Sequence, residues 1–107
     1  MATVDATIDR VGKDVCTITW VGMGSADIGE WVCILPYKQI NAHVFGHVRT
    51  FALEGANNAG GTNPYPLQDR EGVPIAGDGI FEVGQVPGFI RPNLSSGSHV
   101  SVTLVCR

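Results

Sequence analysis

The amino-acid sequence predicts an all-β protein, a small antiparallel β-sandwich of the jelly-roll or immunoglobulin-like type with about seven to eight short strands. Most of the chain consists of segments in which apolar and polar residues alternate, the period of a strand with one buried face. No segment sustains the period of a helix, and the 14 glycines and 6 prolines disfavour long helices. We therefore expect one domain that spans residues 1–107.

The segment Arg49–Gly61 is the element around which we expect the other strands to be arranged. It begins as a strand, with Phe51 and Leu53 on one face and Thr50 and Ala52 on the other. Asparagine and glycine residues follow, and they reverse the chain at little cost because both tolerate positive φ. The strands before this segment should lead into it, and the strands after it should return to pack against it.

The strand candidates in the first half of the chain differ in length and pattern. In chain order they are Thr3–Ile8, Val15–Val21, Glu30–Leu35 and Ile40–Glu54. Pro36 should end the third candidate, because proline donates no ladder hydrogen bond. The apolar positions of the fourth change sides near Gly46–Arg49, which predicts either two strands or one strand with a bulge or bend. Residues 1–10 also fit an N-terminal arm that pairs with a neighbouring subunit.

The second half of the chain contains shorter candidates. In chain order they are Gly79–Val83, Gly88–Leu94 and Val100–Cys106. We expect Pro92 to break the second of these and Ser95–Ser98 to form the turn before the last. Asp69–Gly72 also predicts a turn, since Asp at its start and Gly at its end favour one. Extended stretches are expected at Asn63–Gln68 and Val73–Ile75.

The charge pattern argues against two classes of partner. Charged residues make up 16% of the chain, against about 25% in an average soluble domain, and the net charge is −3. The seven Lys and Arg residues are scattered, so no basic stripe for nucleic acid exists. No apolar run approaches the length of a membrane span, about 18 residues. The N-terminus lacks the pattern of a secretion signal. The low charge fits either an ordinary glycine-rich domain or a surface that is covered in an assembly.

The three cysteines, Cys16, Cys33 and Cys106, form no CxxC pair, which argues against a zinc site. Cys16 and Cys106 fall in phase with apolar neighbours, and both therefore fit small buried side chains. An odd number of cysteines also permits the alternative of a disulfide between subunits.

The sequence contains no recognisable catalytic constellation. His43 and His47 are four residues apart, which on a strand separates them by about 13 Å, and His99 stands alone. A small metal-dependent hydrolase built on the three histidines remains an alternative. The prediction is a protein that is not an enzyme and holds no metal or cofactor.

Aromatic residues suggest a further alternative, a carbohydrate-binding module. Trp31, Tyr37 and Tyr65 are available for an aromatic platform on which a sugar ring stacks. Trp20, in contrast, is in phase with Cys16 and Ile18, and we expect it in the core.

Several motifs in the chain occur together in one known group of proteins. They are Trp20–Gly24 with Asp27–Gly29, Thr50–Asn58, Leu67–Gly72, Phe89–Pro92 and Val100–Leu104. In order and spacing these motifs resemble a family of small virion proteins of tailed bacteriophages, over about three quarters of the chain. In that family an Ile-Glu-Gly-Ser-Asn-Asp-like turn precedes a Leu-x-Asp-x-x-Gly turn, an Ile-Arg-Pro strand and a Thr-rich last strand. This chain has Ala56–Asn58 in place of Ser-Asn-Asp, and Tyr65 where the family has Trp.

The resemblance implies a capsid decoration (cement) protein on the exterior of the virion, made in the host cytoplasm. Its partners would be the major capsid protein and further copies of itself, with a homotrimer as the first expectation. A tail or head-fibre component is the alternative within the same resemblance. Candidate interface residues are Arg91, Trp31, Tyr37, Tyr65, Asn57 and Asn58. Arg91 fits an ion pair, either inside the domain or between subunits.

Overall fold

The computed structural model of the chain describes residues 2–35, 37–58 and 63–107, and every regular element in them is a β-strand. The all-β prediction is therefore confirmed. No helix in these residues is long and apolar enough to cross a membrane. The described strands are β1 (Thr3–Val4), β2 (Thr7–Arg10), β3 (Cys16–Met23), β4 (Asp27–Gly29), β5 (Val32–Cys33), β6 (Ile40–Ala56), β7 (Tyr65–Pro66), β8 (Gly79–Glu82) and β9 (Phe89–Cys106).

Two long strands, β6 and β9, form the centre of the fold. They pair antiparallel along almost their whole length, from Ile40 opposite Cys106 to Ala56 opposite Phe89. The pairing register shifts between Phe45 and Phe51, a region that includes the residues where the apolar positions of the sequence change sides. Of the two predicted alternatives, the structure has one strand with bulges.

The shorter strands divide the sheet into two parts, one on each side of this bend. The first half-sheet consists of β2, β3, the end of β9, the start of β6, and β8. The second half-sheet consists of β1, β4 and β5 along the start of β9, followed by the end of β6 and β7. The inward faces of both parts contribute to one apolar core, which contains Trp20, Val102 and Leu104 from the first and Leu53 and Ile90 from the second.

Glycine is required where the two long strands bend. Gly46 has a φ of 121° and Gly97 a φ of 151°, in a region that side chains disfavour. A Cβ on Gly46 would lie 2.3 Å from the carbonyl oxygen of His99 in the neighbouring strand. His99 itself has a φ of 53°. The bend therefore depends on two backbones that approach each other closely.

Several of the local predictions are wrong. Glu30–Leu35 is not one strand, because β4 and β5 are separate and Glu30 and Trp31 lie between them. Neither Pro92 nor Ser95–Ser98 interrupts β9, which is continuous from Phe89 to Cys106. Pro92 lies in the gap between the residues of β9 that pair with β4 and those that pair with β5. Because no described strand pairs with it on that edge of β9, the backbone N–H that proline lacks is not needed there. Ser95–Ser98 lies at the bend and does not reverse the chain.

Residues at the N-terminus pair with the chain's own sheet. Thr3–Val4 runs parallel to β4, and Thr7–Arg10 runs antiparallel to β3. The predicted single strand Thr3–Ile8 is wrong, because these residues form two strands, one on each half-sheet. The predicted end of a strand at Pro36 lies outside the described residues, and so do residues 59–61 of the predicted chain reversal at Asn57–Gly61.

Candidate functional site

A charged cluster lies on the outward face of the second half-sheet. Glu54 of β6 is directly opposite Arg91 of β9, and Arg91 Nε donates a hydrogen bond of 2.8 Å to Glu54 Oε1. Asn93 Nδ2 donates to the second carboxylate oxygen at 3.4 Å. The guanidinium carbon of Arg91 lies 4.5 Å from the centre of the Trp31 ring, in a cation–π arrangement. The pairing of β6 with β9 thus places Glu54 opposite Arg91, and the segment between β4 and β5 places Trp31 beside Arg91.

Partial burial strengthens this cluster. The side chains of Arg91 and Glu54 are 22% and 16% exposed, so water screens their ion pair less than it screens a surface pair. Arg91 therefore has its carboxylate partner inside the chain, which is one of the two alternatives that the sequence left open. Arg91 covers one face of the Trp31 ring, and that face is not available for stacking on a ligand.

The three aromatic residues proposed as a sugar platform do not share one surface. Trp31 stacks on Arg91, whereas the Tyr37 hydroxyl accepts a hydrogen bond of 3.2 Å from Arg10 beside the first half-sheet. A hydrogen bond with the Cys16 thiol raises the pKa of Tyr37, with a smaller contribution from burial. Tyr65 is on the edge strand β7 and is 73% exposed. A platform of all three rings is therefore not formed.

An open groove lies between β7 and the segment that leads into β9. Its volume is about 990 Å³, and Tyr65 lies beside it. Polar and small residues dominate its walls, which are formed by Gly55, Ala56, Asn57, Asn58, Asn63, Tyr65, Pro66, Leu67, Gln68, Asp69, Arg70, Gly72, Gly84, Gln85, Val86 and Pro87. Three of the predicted interface residues, Asn57, Asn58 and Tyr65, are thus brought together. The amides at 63, 68 and 85 were not predicted, because no local pattern indicates that these distant segments converge.

The outward face of the first half-sheet has an uncharged centre. At its centre, the outward residues between 17 and 21, 41 and 45, and 101 and 105 include no Asp, Glu, Lys or Arg. The hydroxyl oxygens of Thr19 and Thr103 lie 3.4 Å apart across two of these strands. Three large apolar side chains are exposed on this face, Val21 (66%), Phe45 (44%) and Ile80 (72%). We refer to Val21, Phe45 and Ile80 as the apolar strip.

The histidines lie near the apolar strip and the bend. The rings of His43 and Phe45 have their centres 4.8 Å apart, and His43 is opposite Ile80 of β8. His47 is exposed in the bulge of β6, and His99 is exposed in β9. In the part of the chain that the structure describes, no three His, Cys, Asp or Glu side chains are grouped so that they could hold a metal ion.

The cysteines have different surroundings. Cys16 and Cys106 are opposite each other in β3 and β9, and both are buried. Burial raises the pKa of Cys106 to about 12, and the nearby Cys16 thiol contributes. Cys33 is exposed on β5. Because a buried thiol cannot reach another subunit, only Cys33 of the three remains a candidate for the predicted disulfide between subunits.

We expect Ellman's reagent at pH 8 to modify one thiol per chain in the native protein and three after denaturation. Cys33 is the exposed thiol, whereas Cys16 is buried and Cys106 is both buried and protonated at this pH. Counting the released chromophore over time measures the number of reacting groups. The Cys33→Ser variant should release almost none before unfolding, and rapid reaction of two or more native thiols would contradict the expected burial.

Comparison with known proteins adds information on the fold. No protein-family model and no curated protein matches the chain. A solved structure that matches is a cupin domain from Bordetella pertussis, which is 9% identical, with a TM-score of 0.50. The match covers 99% of this chain and 95% of the cupin domain. At this identity the likeness concerns the fold alone, and it agrees with the all-β architecture.

Proposed function

We propose that this chain is a bacteriophage virion structural protein that is not an enzyme, namely a capsid decoration (cement) protein. It would bind the exterior of the assembled head and stabilise it by bridging subunits of the major capsid protein. In this proposal the protein acts as a homo-oligomer, with a trimer as the first expectation. It needs no cofactor, nucleic acid or membrane for this role.

The observation that carries the proposal is the way in which the resembling motifs assemble. The Glu-Gly motif at the end of β6 and the Ile-Arg-Pro motif at the start of β9 are far apart in the sequence. In the fold they are adjacent strands, joined by the half-buried pair of Glu54 and Arg91. Leu67, from a third motif, donates its backbone N–H to the carbonyl of Leu53. The resemblance therefore concerns a single structural unit and not scattered similarities.

The outward face of the first half-sheet supports adhesion as the mode of action. A surface with exposed apolar side chains and no charge at its centre has a small desolvation cost when it docks on another protein. We propose that the apolar strip contacts the assembled shell. A protein that binds only the assembled form stabilises it by mass action, and an oligomer multiplies modest contacts through multivalency.

The proposal includes a finer description of the fold. We infer that the two half-sheets form the layers of a small jelly-roll-like β-sandwich. Their inward faces share one core, and the likeness to a cupin domain covers nearly the whole chain. Such a body is stiff, because β6 and β9 run through both layers, and stiffness reduces the entropy lost on docking.

The test uses the phage that carries this gene. Heads that lack the protein are expected to break at a lower temperature than wild-type heads, and purified protein should restore their heat resistance. The Ile80→Asp variant should fail to restore it, because a charge on the apolar strip opposes docking. Val11→Asp is the matched control, since Val11 is similarly exposed (68%) but lies in the turn before β3.

Heads of unchanged heat resistance without the protein would refute the decoration role. Recovery of the protein from purified tails would favour the tail or head-fibre alternative. Equal rescue by both variants would exclude the apolar strip as the docking surface.

A further inference from the structure

We infer that the groove beside Tyr65 is a binding site for a neutral saccharide. This function would be separate from adhesion to a shell, because the groove belongs to the second half-sheet and the apolar strip to the first. The inference depends on three features of the groove: its charge, the chemistry of its free side chains and its shape.

The charged residues of the groove are already engaged within the protein. Arg70 Nη1 donates a hydrogen bond of 2.9 Å to Glu82, and this pairing lowers the pKa of Glu82. Asp69 Oδ1 accepts backbone hydrogen bonds from Glu71 and Val73, at 2.9 and 3.0 Å. Arg70 is thus ion-paired, whereas Asp69 keeps its negative charge, so the groove offers no unpaired positive charge to an anionic ligand. A nucleic acid strand, which needs a basic channel, does not fit it.

The side chains that remain available are neutral amides and one phenol. Asn63, Gln68, Gln85 and Tyr65 line the groove, and none has a side-chain hydrogen bond among the described residues. An amide offers a donor and an acceptor together, which matches the hydroxyl groups of a sugar, since each of these also donates and accepts. Asn57 Oδ1 accepts a hydrogen bond of 2.9 Å from the backbone N–H of Gly88, and its amide N–H₂ group has no acceptor among the described residues.

Tyr65 supplies the apolar contact that such a ligand requires. Its side chain is 73% exposed, and Arg91 does not cover it as it covers Trp31. A large exposed aromatic ring can stack on the C–H face of a sugar ring while its hydroxyl stays in water. The volume of about 990 Å³ is at the upper end of ligand sites, about 300 to 1,000 Å³, and the groove is partly open to solvent. These dimensions fit several linked sugar units in preference to one enclosed monosaccharide.

The test is an array of neutral and acidic glycans, applied to the purified protein without virus particles, followed by calorimetric titration of the bound glycans. The native protein should bind at least one neutral glycan, and Tyr65→Ala should weaken this binding about tenfold or more. Tyr65→Phe should retain most of the affinity because it keeps the ring. Tyr37→Phe is the control aromatic variant, and it should bind like the native protein. In NMR spectra the glycan should shift the amide signals of Tyr65, Leu67, Gln68 and residues 84–86 most.

Several results would overturn the inference. These are no neutral glycan bound at millimolar concentration, binding that Tyr65→Ala leaves unchanged, or a preference for acidic glycans or single-stranded DNA. Tyr65 is exposed on an edge strand, so its variants should unfold at the temperature of the native protein, and thermal unfolding verifies this. Since no shell is present in the experiment, its outcome is independent of the decoration role.

Discussion

Replacing Trp20 with alanine is expected to lower the free energy of unfolding by about 3 to 5 kcal/mol. The Trp20 side chain is fully buried, and its Nε1 donates a hydrogen bond of 3.2 Å to the carbonyl of Glu30. It also packs against Gly29, where a Cβ would lie 2.7 Å from its ring. The substitution leaves a cavity where β3 meets β4. Urea denaturation followed by circular dichroism measures the change.

Val21→Ala is the matched control for this prediction. Val21 is the next residue in β3, but it is 66% exposed, so its truncation should change stability by less than about 0.5 kcal/mol. Where Trp20→Ala prevents folding altogether, Trp20→Phe provides a milder variant with a measurable transition. A loss below about 1 kcal/mol for Trp20→Ala would mean that the core does not depend on this side chain.

A methyl group on Gly46 is expected to destabilise the fold by about 3 kcal/mol or more. Alanine at this position must adopt a φ near 121° or change the bend, and its Cβ would lie 2.3 Å from the His99 carbonyl oxygen. Both strain and collision therefore contribute. Thermal unfolding of Gly46→Ala measures the combined effect.

Two other glycines separate these contributions. Gly72 has a φ of 84° with no atom within 4 Å of an added Cβ, so Gly72→Ala tests strain without collision and should cost about 1 kcal/mol. Gly12 has open space and no positive φ, and Gly12→Ala should be neutral or slightly stabilising. If Gly46→Ala costs no more than Gly72→Ala, the close approach at the bend is not rigid.

The strand pattern could be predicted from the sequence wherever burial is one-sided. Alternation placed Ile18 and Trp20 on the inward face of β3, and the change of phase in β6 marked its bulges. The positions at which strands end were harder to predict, because proline and glycine favour turns in isolated segments but can be kept within a strand by pairing with its neighbours. Pro92 and Gly97 are residues that usually end a strand, yet pairing with the neighbouring strands keeps both within β9.

The candidate sites were less accessible to sequence reasoning. The pairing of Arg91 with Glu54 requires the register of β6 against β9, which no local pattern specifies. The groove is made of segments that are short and irregular, and its amides carry no periodic signal. Val21 and Ile80 could have been recognised as outward residues from their phase, but only the topology places them on one face with Phe45.

The position of β9 in the chain has a consequence for biosynthesis. This strand pairs with β3, β4, β5 and β6, all of which precede it, and the contact between Thr19 and Thr103 joins residues 84 positions apart. During translation the earlier strands therefore have no central partner until the 18 residues of β9 have left the ribosome. Such a high contact order implies slow folding, and the newly made chain exposes unpaired strand edges to its neighbours throughout this delay.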